Sequence, residues 1–459
     1  MATRKPPKTD PKVANVLARA RLPAVQLVRF LYCANDNVIR GKACHADLLA
    51  GYLKSGIGLT VAMQSFTVLD QLAAGASFGP VGEVRLMPDP ASFAILPYAP
   101  KSARMYCDMV TLDGQPWSVC QRSALKRAVA RARAAGFELN AAFENEFTLV
   151  RAQGGQVTPI DQSPCFSTIG LDAAAPVMVD VVEALIAQGV QPEQCYAELG
   201  PGQHELPVRY ADALRAADNQ LTVRDTVRAV AAKHGLLASF APKPFPNEAG
   251  NGSHIHWSLW HTKNGTNAFH APGGHHGLSD TALRFMAGVL HHAPGLLALT
   301  AASVNSYRRL QPQFWSSAYT AWGPDNKEAT IRVPPKRQGL EAESTNLELK
   351  PCDASANPYL ALTGLLAAGL DGVERKLDAS PPALADPHTM AESERARLGI
   401  RRYPTALGEA LDALERDQVL RDALGADLAR EYLVVKRAEV TAFAERGEAF
   451  ELAQHFYKY

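Results

Sequence analysis

The sequence predicts an α+β protein in which a small β-rich unit precedes a larger part of mixed helices and strands. Three observations predict it. Short apolar runs broken by Pro and Gly fill residues 23–112, as strands and turns do. Longer amphipathic or apolar stretches, several closing on Gly, punctuate the rest, as helices do. Several short segments of the second part alternate between apolar residues and Glu, His, Arg or Lys, the period of a strand with two unlike faces.

Composition bounds the reading. The 459 residues are 47% hydrophobic and 20% charged, ordinary for a soluble globular enzyme and enough for two or more domains. A net charge of +1 favours neither nucleic acid nor a membrane surface as partner. No apolar run is expected to reach the roughly 20 residues of a membrane span. The start, MATRKPPKTDPK, is basic and lacks an apolar core, so residues 1–22 read as a flexible tail and not a secretory signal. The seven cysteines (Cys33, Cys44, Cys107, Cys120, Cys165, Cys195 and Cys352) are scattered, odd in number and without CxxC. They suit free thiols in a cytoplasmic protein and offer no zinc site.

Taken in order, VQLVRFLYCAND is a strand running into a turn, and VIRGKACHADLLAGYLKSG is turn, strand and short helix. Residues 82–114 alternate strands and turns. SALKRAVARARAAG, 123–136, is an amphipathic helix that delivers the chain to the strand AFENEFTLV, so a boundary falls near 112 and the larger domain is 113–459. APVMVDVVEALIAQG and ADALRAADNQLTVRDTVRAVAAKHG are helices. QCYAELGPGQHELPVRY is strand, turn and strand, and SHIHWSLW is a strand. Residues 261–279 read as a loop and LRFMAGVLHHAPGLLALTAASVNS as helix. ATIRVPP and NLELKPCD are strands, and PYLALTGLLAAGLDGVERKL is a buried helix. Residues 378–404 read as a surface excursion, and amphipathic helices follow from about 405.

The chemistry lies on the strands. Glu144 and Glu146 are spaced i, i+2 and share a face; alone they read as a solvated sheet face. Glu198 and Glu205 flank the turn LGPGQH. His254, His256 and Ser258 share one face of SHIHWSLW, Thr330 and Arg332 one face of ATIRVPP, and Glu348 and Lys350 one face of NLELKP. The histidines alone fit a core or surface pair, and Arg308–Arg309 a solvated pair. As a set, these faces gather about five carboxylates, imidazoles and several cations. Carboxylate-rich donors suit Mg²⁺ or Mn²⁺, the cations suit phosphate, and the combination is that of phosphoryl transfer. No P-loop or GxGxxG is present.

GNGSHIHWSL, VNSYRRLQP, WGPDNKEATIRVP, ASFAPKPF and CDASANPYLALTGLLAAGLDG resemble, in order, the signatures of the glutamine synthetase family, over about residues 25–375. The resemblance implies an N-terminal β-grasp domain at 23–112 and a catalytic domain whose curved antiparallel sheet forms half of a bifunnel site. It implies homo-oligomers with active sites between subunits, usually hexameric rings stacked as a dodecamer. Glu146, Glu198 and Glu205 match ligands of one divalent metal; Glu144, His254 and Glu348 match those of a second. Mg²⁺ or Mn²⁺, two or three per site, and ATP are the implied cofactor and co-substrate. His256 and Ser258 match residues around the nucleotide, where Glu198, Arg332 and Lys327 are also expected. Arg309 matches the arginine that holds the glutamate carboxylate, Gly250 the backbone site for its amino end, and Lys350 adjoins the glutamate. Arg332 matches the arginine that steadies the transferring phosphoryl group. The implied reaction activates the γ-carboxylate of L-glutamate as γ-glutamyl phosphate, which an amine then attacks.

The departures cluster on the amine side. Ammonia-using members carry a Glu six residues after the position of Arg309; here Trp315 stands there, in QPQFWSS. They also carry an Asp eight residues before the position of Lys42; here it is Ala34, with Asp36 nearby. Lys327 and Lys350 stand where arginines are usual, keeping charge but losing the bidentate fork. An aromatic pocket walled by Tyr32, Cys33, Phe314 and Trp315 across a subunit boundary favours a small alkyl or aryl amine, methylamine foremost, over ammonia. The alternatives are glutamine synthetase proper, with Trp315 as loop packing and Asp36 as a displaced acid, and a non-catalytic ring-forming member. No NLYDLP-type adenylylation motif is present.

Overall fold

The computed structural model describes residues 11–21, 24–154 and 156–459. Two sheets organise them. The first has β1 (Leu27–Cys33), β2 (Ile39–His45), β3 (Ile57–Thr60), β4 (Glu83–Pro88), β5 (Ala94–Ile95) and β6 (Ser102–Val110), in the order β2-β1-β6-β4-β3 with β5 on β6. It is mixed, because β1 and β6 run parallel. α1 (Pro11–Arg21) and α2 (Leu49–Ser55) pack against this unit.

α1 corrects the expectation of a flexible tail, of which residues 1–10 and 22 lie outside the described residues. Val13, Val16, Leu17 and Ala20 recur at helical spacing and pack into the core, with Val16 and Ala20 buried. Arg19 lies 5.0 Å from the Phe93 ring centroid.

The second sheet is built around β7 (Phe137–Gln153), a 17-residue strand reached through α3 (Gln121–Ala134). Its other members are β8 (Gln156–Pro159), β9 (Tyr196–Ala197), β10 (Gln203–Pro207), β11 (Ala211–Asp212), β12 (Leu237–Ser239), β13 (Ser253–His261), β14 (Tyr319–Pro324), β15 (Ala329–Val333) and β16 (Leu347–Leu349). The path is β14-β15-β16-β13-β7-β10-β9, with β8, β11 and β12 also on β7. All pairings are antiparallel except β14–β15, which are parallel.

α4 (Thr168–Ala187) and α5 (Ala213–Lys233) form one core with Phe147, Leu149 and Leu206. α6 (Asp280–Thr300), α7 (Ser306–Arg309), α8 (Glu341–Ser344) and α9 (Pro358–Glu374) follow, and the apolar backs of the strands (Phe143, Ile255, Trp257, Ile331, Leu347 and Leu349) join the larger core with α6 and α9. α3, α4 and α5 stop where Gly136, Gly189 and Gly235 take the left-handed conformation, as the sequence predicts. α6 is 21 residues long and, by length and composition, apolar enough to cross a membrane, contrary to expectation; 72% of its apolar window is buried in the fold, so it is a core helix.

Residues 378–404 are not a solvated excursion. They contain α10 (Glu392–Arg397), and Ala383, Met390, Leu398 and Ile400 form a small core with Ala318, Tyr319, Ala321 and Ala329 at the β14 edge. The chain ends in α11 (Leu407–Arg416), α12 (Gln418–Leu424), α13 (Ala426–Arg446) and α14 (Glu448–Lys458).

Buried His292 on α6 ties three of these helices together. Its Nδ1 lies 2.6 Å from Asp417 and its Nε2 3.0 Å from Asp371 on α9. Burial favours the neutral ring, but hydrogen bonds to both carboxylates raise the imidazole's pKa. A raised folded pKa gives stability that is full below the unfolded value of about 6.5 and lost as pH rises through the folded one. His292→Gln is expected to cost about 3 kcal/mol in denaturant unfolding at pH 6, and clearly less at pH 9. An equal loss at both would show that the charge contributes nothing.

Candidate functional site

Cross-strand register assembles one polar face. Glu205 on β10 lies opposite Glu146 on β7, and His254 on β13 opposite Glu144. His256 lies opposite Glu348 on β16, which lies opposite Arg332 on β15. Directly opposed residues share a face, so four strand pairings bring these side chains together while their neighbours fill the core. On β9, the register continues past Tyr196, opposite Glu205, to Glu198 beside Gln203.

Within this face, His254 Nδ1 is 3.6 Å from Glu144 and 3.4 Å from Glu348, and its Nε2 is 3.8 Å from Glu146. His256 Nε2 is 3.3 Å from Glu144 and 3.9 Å from Glu348. Arg332 Nη1 donates to Glu348 at 2.7 Å and its Nε to Asp325 at 3.2 Å. Lys350 Nζ is 3.4 Å from Glu348 and from His254 Nδ1. Donor atoms of Glu144, His256 and Glu348 fall within 4.8 Å of one another, so His256, expected with the nucleotide, is as close to the second cluster of acids as His254.

The face divides electrostatically. Burial favours neutral Glu144 and Glu348, but the two imidazoles, and Lys350 beside Glu348, outweigh it and hold both carboxyls low. Burial works against protonating His256 too, yet Glu144, Glu348 and Asn346 raise it to about 9. Burial and Lys350 lower His254 to about 4. In the other half, the Gly252 N–H and the charges of Arg309 and Lys350 act on Glu146 but do not offset its burial. Burial pushes Glu146 up to about 7, with Glu198 adding to it, and burial plus Glu144 and Glu146 push Glu205 well up.

This is a donor set that a hard cation fits. His254 Nε2, His256 Nε2 and Glu348 Oε1 are buried and make only the ion-pair contacts given above, with no hydrogen bond of good geometry, a costly state for polar atoms unless a ligand meets them. His256 Nδ1 is 2.9 Å from Asn346 Oδ1, the second contact that fixes a ligating imidazole. A Cβ on Gly252 would stand 2.6 Å from His254 Nε2 and 2.9 Å from Glu146, in the same space.

Four residues that sequence reasoning passed over support the face. Gln203 Nε2 donates to Glu146 at 2.8 Å and to Gly250 O at 2.9 Å, and Gly252 N–H donates to Glu146 at 2.9 Å. Tyr196 donates to Glu205 at 2.6 Å. Gln203 was findable, since it alternates with Glu205; Tyr196 and Asn346 depend on register. Glu198 is turned to its own chain, accepting from Leu199 N–H at 3.1 Å, with Cys165 Sγ at 3.7 Å.

A cavity of about 530 Å³ opens beside Glu144 and His256 and is also lined by Ser258, Asn346, Tyr210 and Arg337. Ser258 Oγ accepts from Trp260 at 3.0 Å. Arg332 and Lys327, expected with the nucleotide, do not line it: Arg332 is held by two carboxylates, and Lys327 Nζ sits 4.8 Å from the Trp315 ring centroid. Buried Arg309 donates to Cys352 O at 2.9 Å and leaves its Nε without a partner; Gly250 packs on its side chain.

After Arg309, residues 313–317 form a shaped loop. Gln313, Trp315 and Ser317 all hold positive φ, and Phe314 and Trp315 stand half exposed. Lys243 Nζ lies 4.5 Å from the Phe314 centroid, and Trp315 N–H donates to the buried carboxylate of Glu328 at 2.6 Å. By contrast, Tyr32 and Cys33 are buried in the chain's own core and present almost no surface with which to wall that pocket. Asp36 is also buried and bound to Arg40 at 2.5 Å, so the displaced acid is not free.

Comparison with known proteins agrees with this geometry. The family model for the glutamine synthetase N-terminal domain matches residues 11–117, and that for the glutamine synthetase catalytic domain residues 118–455. A glutamine synthetase of Thermus thermophilus is 40% identical over 82% of this chain and 85% of its own. The gamma-glutamylpolyamine synthetase GlnA3 of Streptomyces coelicolor is 36% identical over 93% of this chain and 92% of its own. A GmaS/ADP complex superposes with a TM-score of 0.84 at 31% identity, covering 95% of this chain and 98% of that one. A crystal structure of a novel glutamine synthase homolog gives 0.85 at 35%, covering 96% and 100%. With its two-sheet fold, its carboxylate–imidazole face and both family domains matched end to end, the chain belongs to the glutamine synthetase family, whose members are ATP-dependent ligases that form C–N bonds.

Proposed function

We propose that this enzyme ligates a small alkyl or aryl amine, methylamine foremost, to the γ-carboxylate of L-glutamate, with ATP giving ADP and phosphate. The observation that carries the amine assignment is the half-exposed Phe314–Trp315 pair on the loop that follows Arg309. An apolar aromatic wall rewards a carbon substituent, which ammonia lacks. The relatives named for polyamine ligation and GmaS support an amine acceptor; the relative named glutamine synthetase supports ammonia, the competing reading.

In this reading Arg309 and Gly250 orient glutamate, with Lys350 beside them. The cavity holding His256 and Ser258 takes ATP. Glu146, Glu198 and Glu205 would hold one Mg²⁺, and Glu144 and Glu348 with His254 or His256 would hold a second. Bound there, the metals supply charge neutralisation between two anions, the γ-phosphate and the γ-carboxylate. Arg332, released from Glu348, turns toward the transferring group. The γ-glutamyl phosphate so formed is attacked by the amine. Stacked hexameric rings are the assembly proposed, and native mass measurement should return twelve times the 49.4 kDa chain. The seven free cysteines favour a reducing cytoplasm.

The deciding experiment measures phosphate release from Mg-ATP and glutamate with ammonium, methylamine, larger alkylamines, aniline and putrescine. Methylamine or another small monoamine should give the highest kcat/KM, and ammonium giving it would sink the assignment. Trp315→Glu should shift the ammonium-to-methylamine ratio toward ammonium by about tenfold or more, since a carboxylate attracts the bare cation. An unchanged ratio removes Trp315 from acceptor choice. Cations compete with protons at Glu146 and Glu205, so Mg²⁺ affinity should rise between about pH 6 and 8 with proton release, measured calorimetrically. Binding without proton release would contradict the ligand set.

A further inference from the structure

The amine reading leaves one chemical demand unmet. An alkylamine is an ammonium ion at neutral pH and cannot attack until it loses a proton. The position where an acid is expected carries Trp315, and Asp36 is bound to Arg40. Yet one carboxylate does lie at the base of the aromatic loop. Glu328 immediately precedes β15 and lies two and four residues before Thr330 and Arg332, on the same alternation of the strand whose Arg332 meets Glu348. It is buried, accepts the backbone N–H of Trp315 at 2.6 Å, and is adjoined in sequence by Lys327, whose ammonium covers the Trp315 ring. Lys350, across the register from Thr330, is the cation that faces it from the neighbouring strand.

Building on the amine-ligase reading, we propose that Glu328 holds the incoming alkylammonium and takes its proton. The balance is complete. RNH₃⁺ gives one proton to the Glu328 carboxylate, and the freed lone pair of RNH₂ forms the C–N bond at the acyl phosphate carbon. The C–O bond to phosphate breaks with its electron pair on the phosphate oxygen, and the second nitrogen proton leaves with it as HPO₄²⁻. The products are the γ-glutamylamide, hydrogen phosphate and protonated Glu328, which returns its proton to solvent. A single buried acid serves one ammonium group, and a monoamine whose carbon tail lies on Trp315 needs no second.

The alternative is that Glu328 only anchors the loop. Glu328→Gln separates the two, because an amide oxygen still accepts the Trp315 N–H but takes up no proton. The test compares methylamine with hydroxylamine, which is already neutral at neutral pH. Glu328→Gln should lose about 10²-fold in kcat/KM with methylamine and at least tenfold less with hydroxylamine. Equal losses with both acceptors in a variant that melts like the parent, or no loss with methylamine, overturn the proposal. Should the Gln variant fail to fold, Glu328→Asp, which keeps the acid one methylene short, takes its place: a larger loss with methylamine than with hydroxylamine supports the proposal, and equal losses overturn it. The wild-type enzyme tests the underlying reading separately: phosphate release with ammonium alone would overturn amine ligation, whatever Glu328 does.

Discussion

The constraint on which this structure depends is the mutual repulsion of carboxylates crowded onto one face of a sheet. Glu144, Glu146, Glu205 and Glu348 all lie on β7 and the strands of its hydrogen-bonded path, and nothing about a side chain's own preference would bring them there. The apolar backs do. Phe143, Ile255, Trp257, Leu347 and Leu349 are buried to within a few per cent, and slipping any strand by one residue would expose them and bury acids in the core. The hydrophobic side of the sheet therefore fixes the register, and the register imposes the electrostatics.

That imposed repulsion is not shared evenly. Around Glu348 it is offset from within by Arg332, Lys350 and two imidazoles. Around Glu146 and Glu205 the direct hydrogen bonds come from Gln203, Tyr196 and a backbone N–H, neutral donors that stabilise charge less than a cation does, and the charges of Arg309 and Lys350 do not offset the burial of Glu146. The second region is accordingly the one whose carboxyls are raised toward protonation. The two halves of the face therefore differ in how firmly their carboxyls are held ionised.

What could be read from the sequence follows the same logic. Period-two alternation identified each strand's polar face, because Glu144 and Glu146, His254 and His256, and Glu348 and Lys350 repeat within single segments. Pairing between segments is a tertiary property, so the support of Glu205 by Tyr196 and of His256 by Asn346 was invisible. The tail was misread because four apolar residues among lysines and prolines look solvated until a sheet is there to receive them. Residues 378–404 were misread for a like reason: their few apolar side chains matter only against the β14 edge. Glu328 had no alternation partner but Thr330 and Arg332, and its meaning depends on where a loop thirteen residues earlier returns.

That loop, residues 313–317, follows Arg309 and is held in an uncommon backbone conformation. Three non-glycine residues with positive φ cost on the order of 1 kcal/mol each, and such strain persists only where surrounding contacts over-determine it. Here Ser316 Oγ donates to Arg309 O at 2.7 Å, lysines cover Phe314 and Trp315, and Glu328 accepts from Trp315. The aromatic loop is thus fastened directly to the backbone of Arg309. Burial raises the Glu328 carboxyl, and on the proposal made above an ammonium ion held against it would have its own acidity increased by the desolvation that contact brings. The two proton affinities would then move toward each other. On that proposal the carboxylate beside the aromatic loop, and not an acid at position 315, makes the neutral nucleophile attainable.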